Sequence, residues 1–201
     1  MLGRVWIVAA IIAGLAPATQ ARAAGADNAF LERLVGPLQR DGQSFACFSR
    51  HYDAAHLAKH PTQRVTFVKA LVDAYFRESW PGNGAYEYQV SFAFRFRDRA
   101  ETLTGVAECG GGTTKDSARR GAHCAGPGAT SHLQMQGRGV LVLTIPGGAD
   151  LWAPGPVEQR HDTVKNPFGP DDEVFHLART ELKQCEDLAF DRQKPLRPHE
   201  P

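Results

Sequence analysis

The sequence predicts an all-β fold with minor helix: an antiparallel sandwich or partly open barrel carrying one or two short N-terminal helices. Three observations predict it. Tyr86, Tyr88, Val90, Phe92, Phe94 and Phe96 alternate with Glu87, Gln89, Ser91, Ala93, Arg95 and Arg97, which puts six large apolar groups on one face of a strand and mostly polar groups on the other. Short apolar stretches recur about every ten residues, separated by turn signals such as Pro146-Gly147-Gly148. Four cysteines, Cys47, Cys109, Cys124 and Cys185, follow an N-terminal export signature, as in disulfide-tied domains.

That signature is Arg4, an apolar run from Val5 to Leu15, Pro17, and the small-residue site Ala21-Arg22-Ala23. The run is shorter than the roughly 20 residues a bilayer span needs, so it predicts a signal peptide over residues 1–23 and a mature chain from Ala24. Cleavage removes Arg4 and Arg22, leaving 21 basic against 22 acidic side chains, a formal balance of −1. That balance offers no basic stripe for nucleic acid. Residues 24–190 are long enough for one buried core and hold no second long alternating block, so one domain is expected. The tail 191–201, with Pro195, Pro198 and Pro201, is expected to be disordered.

Taken in order, Asp27 or Asn28 can cap a short helix whose Phe30, Leu31, Leu34, Val35 and Leu38 share one side, and Gly36-Pro37 breaks it. Ser44, Phe45, Cys47 and Phe48 form a short extended segment. Asp53 to His60 predicts a two-turn helix capped by Asp53 and stopped by Pro61. From Gln63 to Phe76 the spacing suits either period, and β-branched enrichment at Val65, Thr66, Val68 and Val72 favours a strand. Ser79 to Gly84 then turns the chain into the twelve-residue aromatic strand, which at about 3.3 Å per residue spans roughly 40 Å and is long enough to bend.

Thr102 to Cys109 predicts the next strand, with Gly105 at a bulge. Residues 110–131, rich in glycine and charge, predict a long loop. His132 to Gln136 alternates, and Val140 to Ile145 is apolar on both faces, so this strand should be covered on both sides. Leu151-Trp152 precedes the proline-rich connection 153–172. Glu173 to Leu177 gives a last strand, followed by a turn of helix from Leu182 to Cys185. Of the three possible pairings, Cys109–Cys124 with Cys47–Cys185 is preferred. The first closes the glycine-rich stretch and the second ties the start of the domain to its end.

Four chemistries bear on these elements. His56 and His60 stand at i and i+4 on the 53–60 helix, a spacing that suits a divalent metal with Asp53 or His51 as third ligand. No H-E-x-x-H supplies a general base, and Asp53 as cap with His60 in the last turn is the plainer reading. No C-x₂-C pair supports a zinc site, and Gly110-Gly111-Gly112-Thr113-Thr114-Lys115 lacks the spacing and the following helix of a phosphate loop. There is no G-x-S-x-G, and His161-Asp162 and Asp171-Asp172 sit in irregular stretches. Trp80, Trp152 and Phe168 lie in or beside loops, where an aromatic ring either holds a ligand or lids the core.

The expected function is therefore a non-catalytic exported domain that binds an envelope protein or glycan through the 110–131 and 153–172 loops. It uses no cofactor other than a divalent metal at the His51–His60 cluster, binds no nucleic acid, and has no membrane span after signal removal. The alternative is a hydrolase acting on envelope material, with or without a metal at His51–His60.

Overall fold

The strand from Ala85 to Phe96 forms as its alternation requires. Tyr88, Val90, Phe92, Phe94 and Phe96 are buried on one face, Tyr86 is half-buried beside them, and Arg95 and Arg97 reach solvent on the other. Residues 21–77, 85–110, 121–126, 129–153, 163–189 and 196 are described by the computed structural model of this chain.

In chain order the elements are helix α1 (Ala21–Val35), β1 (Gln43–His51), helix α2 (Ala54–Lys59), β2 (Val65–Arg77), β3 (Ala85–Phe96), β4 (Leu103–Gly110) and β5 (Ala122–Gly126). They continue with β6 (Ala129–Gln136), β7 (Val140–Thr144), β8 (Leu151–Trp152), β9 (Thr163–Val164), β10 (Val174–Thr180) and a 3₁₀ helix (Leu182–Leu188). Strands β1 to β7 pair antiparallel with their sequence neighbours, and β10 pairs with both β7 and β1. Those eight strands close into an up-and-down barrel, which decides between sandwich and barrel. The small hairpin β8–β9 attaches outside the closed sheet through Thr104↔Trp152.

Eight strands give an interior just wide enough to be filled by side chains or to hold one small ligand. Here all eight send residues into one cluster, including Phe48, Val68, Phe94, Leu103, Cys124, Leu133, Leu143, Phe175 and Leu177. A cavity of about 30 Å³ beside Phe92, Gly105, Ser131, Ile145 and Leu151 has room for about two water molecules and no organic ligand.

Each end of the barrel is closed differently. At the end where β1 begins, α1 presses Phe30, Leu31 and Leu34 into the opening. It stops at Gly36, whose φ of +91° is the left-handed conformation that glycine adopts without strain, and whose N–H bonds Glu32 O at 2.9 Å. Arg179, on the inward register of β10, stacks over the Phe48 ring at 4.7 Å and donates to the carbonyls of Arg33 and Leu34 at 3.0 and 2.7 Å. At the other end Phe168 packs edge-on to Phe94 and Phe96 and against Phe175.

A second, smaller core lies outside the wall, where Cys47, Leu71 and Ala93 are covered by Cys185, Leu188 and Leu196. The disulfides Cys47–Cys185 and Cys109–Cys124 pair as the sequence suggested. Residues 65–77 are strand, and α2 starts at its Asp53 cap, which accepts from His56 N–H at 2.7 Å.

Four expectations are corrected. The segment 110–131 is not one long loop. Residues 111–120 and 127–128 lie outside the described residues, but Ala122–Gly126 is a strand whose Ala122 and Cys124 face inward, and β6 already begins at Ala129. Gly105 sits in regular register opposite Phe92, and its missing side chain admits Leu151, whose Cδ2 would stand 3.0 Å from a Cβ there; the irregular register lies at Val65/Phe67. Helix α1 begins at Ala21, ahead of the Asp27 or Asn28 cap. Leu196 in the C-terminal tail is buried in the outer core.

Truncating Phe94, which is fully buried and meets four aromatic neighbours, tests the packing. Phe94→Ala should cost about 3–5 kcal/mol in urea unfolding, whereas Gln134→Ala on the outer face should stay within about 0.5 kcal/mol of wild type.

Candidate functional site

The groups singled out for metal chemistry gather at the end of the barrel where β1 finishes. Tyr52 ends that strand and α2 follows at once, so Tyr52, His56 and His60 form a column, with ring centroids 4.8 Å apart for the first pair and 4.4 Å for the stacked second pair. Stacking puts the two imidazoles face to face instead of aiming their nitrogens at a common point. His56 Nε2–H donates to Gln63 Oε1 at 3.0 Å, and Gln63 in turn donates to Val65 O at 2.8 Å. His60 Nδ1 lies 4.0 Å from Asp171, whose carboxylate also accepts from Thr62 Oγ1 at 2.6 Å. Asp53 is committed to the helix cap, and His51 faces Phe67 across the β1–β2 ladder. Among the described residues no three His, Cys, Asp or Glu side chains group as a metal site would require.

Asp172, next to this column, is the group that the sequence left as a solvated turn. It is 1 % exposed and accepts from the backbone N–H groups of Gly169 and Arg64, both at 2.8 Å, and of Val65 at 3.1 Å. Burial raises its pKa, opposed by those three N–H dipoles. Burial also pushes the Tyr52 hydroxyl up to about 12. The arrangement binds the 62–65 turn to the 169–172 loop.

The opposite end carries a groove of about 350 Å³, lined by Phe45, Ala46 and Cys47 on one side and by Arg179, Thr180, Glu181 and Leu182 on the other. Its origin is the register of the seam. The β1–β10 ladder runs through Cys47↔Thr180, Phe48↔Arg179 and Ser49↔Ala178, after which β10 ends and the chain turns into the 3₁₀ helix. Gln43 to Ala46 therefore keep β2 on one side and, among the described residues, have no paired strand on the other. The walls are mostly apolar, and Glu181 brings an exposed carboxylate to the rim.

Asp73 lies on the same outer wall, in register with Phe45 on β1 and Gln89 on β3. It is 7 % exposed; Gln43 Nε2 donates to its Oδ2 at 3.1 Å, and its Oδ1 has no partner among the described residues. Burial pushes this carboxyl up to about 6, with a hydrogen bond from the Gln89 side chain opposing. A strand pattern read from sequence gives no hint of this, because Asp73 occupies the outward register where a charge is ordinary.

Of the loop aromatics, Phe168 lids the core and Trp152 is buried where β8 meets β4. Trp80 and the stretch 154–162 lie outside the described residues. No protein-family model matches the chain, and no curated protein or solved structure is detectably similar to it.

Asp73 makes stability depend on pH. Its folded pKa of about 6 stands above the ordinary 3.8, so the folded state holds the proton more tightly. Its contribution is most favourable below about pH 4, declines as pH rises through 6, and reaches a penalty of about 3 kcal/mol above that. Asp73→Asn should therefore gain stability over wild type in urea unfolding at pH 8 and lose that advantage at pH 4.

Proposed function

We propose that this protein is an exported, non-catalytic binding module that holds a partner protein or glycan of the cell envelope in the groove between β1 and the end of β10. The observation that carries the reading is the open seam: Gln43–Ala46 run past the last residue of β10 beside an apolar groove. A strand flank without a neighbour, next to a pocket for a side chain, is how extended segments are received at sheet edges. Glu181 at the rim and Arg179 in the same lining offer an occupant both a hydrogen-bond acceptor and a donor.

Export is supported by the apolar run Val5–Leu15 ahead of Ala21-Arg22-Ala23, and by two disulfides with no free cysteine. No helix among the described residues is long and apolar enough to cross a membrane. A binding role is supported over hydrolysis by the state of the titratable groups. Asp172, His56 and Asp171 are engaged in joining turns and Asp53 in capping α2, and the groove lining offers the single carboxylate of Glu181 where glycoside hydrolysis needs two.

The test compares the oxidised, exported chain with two groove variants, Glu181→Arg and Thr180→Trp, each immobilised and challenged with an envelope extract. Wild type should retain an envelope component that both variants, with melting temperatures unchanged, retain at least tenfold less. Equal retention by all three would exclude the groove, and turnover of envelope glycan by the purified chain would overturn the non-catalytic reading.

A further inference from the structure

A second surface, unrelated to the groove, lies on the wall formed by β5 and β6. The register places His123 directly opposite His132, and because Ala122, Cys124 and Leu133 face the interior, both imidazoles project outward and are exposed. Their Nδ1 atoms are 3.3 Å apart, with ring centroids at 4.8 Å and ring planes inclined by 58°. Unlike the stacked His56–His60 pair, these rings turn one nitrogen each toward the same point.

The separation is informative. At 3.3 Å the two Nδ1 atoms are within reach of a long nitrogen–nitrogen hydrogen bond, which needs one of them to carry the proton. Without that proton two lone pairs face each other, and a cation standing between them satisfies both. Tetrahedral zinc at about 2.0–2.1 Å from each nitrogen requires its imidazole nitrogens to be about 3.3–3.4 Å apart, whereas adjacent positions of a square-planar ion bring them to about 2.9 Å. The pair already has the tetrahedral spacing.

The backbone that holds this spacing is constrained on both sides. β5 and β6 pair from Ala122↔Leu133 to Gly126↔Ala129, and Cys124, next to His123, is bonded to Cys109 across the β4–β5 ladder. Ligands carried on paired strands lose little freedom on binding, and chelation gains accordingly. We propose that His123 and His132 form a surface site for zinc(II), or a divalent ion of the same tetrahedral habit, ligated through the two Nδ1 atoms. The other two positions are open to water or to a donor atom brought by a binding partner.

Titration of zinc chloride into the chelator-treated, oxidised full chain tests this by calorimetry, with ring ¹⁵N spectra recorded in parallel. One equivalent should bind with a dissociation constant well below about 1 mM, and the Nδ1 resonances of His123 and His132 should move. His123→Ala and His132→Ala, exposed positions where folding is undisturbed, should each weaken binding at least tenfold. The double variant His56→Ala/His60→Ala should bind as wild type does. Absence of both heat and Nδ1 shift up to about 1 mM zinc would overturn the site, as would binding that survives the His123 and His132 variants or disappears with the His56/His60 variant.

Discussion

Closure of the barrel is the constraint on which the rest depends, and it is made at its two shortest ladders. Among the described residues β1 and β10 share three paired positions and β4 and β5 share three, while every other seam of the barrel is longer. These are the two seams that carry the disulfides. Cys109–Cys124 joins a directly opposed pair in the β4–β5 ladder, and Cys47, opposite Thr180 at the last position of the β1–β10 ladder, is tied to Cys185 just beyond it. A closed sheet removes exposed edges, but its closing pair joins opposite ends of the domain and bears the largest loop-closure entropy. A crosslink there restricts the unfolded chain by an amount worth about 5 kcal/mol for the long loop and about 3 kcal/mol for the short one. The covalent bonds thus stand where the hydrogen-bonded ladders are thinnest.

At each end of the barrel a charged side chain is held by backbone groups, Arg179 at the exposed rim under α1 and Asp172 buried at the other end. Arg179 sits under α1 and donates to two carbonyls of its last turn, where the helix dipole is negative; burial lowers its pKa. Asp172 does the converse at the other end, collecting N–H groups from three residues. Both side chains serve as joints between segments far apart in sequence. Asp73 differs: it is a buried acid in the wall with one oxygen unbonded by the described residues, and it makes the fold less stable at neutral pH without closing anything.

What could be read in the sequence was what local periodicity and pairing determine. The six alternating residues of β3 all face inward, Asp53 caps α2, and the β-branched stretch 65–76 is strand despite its helical spacing. Closure could not be read, since it rests on Cys47 meeting Thr180, a register no local pattern encodes. β5 was obscured because Ala122, His123, Cys124 and Ala125 carry little β propensity, and glycines on both sides signalled a loop; its inward face is identified only by Cys124 reaching Cys109. For the same reason His123 and His132 are nine residues apart with no motif between them, and become neighbours only once the hairpin register is known.

Among the described residues the interior is filled by side chains and its ends are covered by α1 and Phe168, while the outer wall is divided. Over β1, β2 and β3 it is covered by the 3₁₀ helix and Leu196 through the second core, reinforced by Lys69 reaching Asp187 and Gln184 O. Over β5, β6, β7 and β10 no described segment covers it, and a transverse row there runs His123, His132, Thr144, Val174, the last of them 46 % exposed. The groove lies on the border between the halves, because the chain leaves the wall at Thr180 to cover one half and not the other. The place where β10 stops early is therefore also the place where the covering begins. One change of direction, fixed by Cys185, produces both the strand flank at Gln43–Ala46 and the apolar wall of Leu182 that faces it.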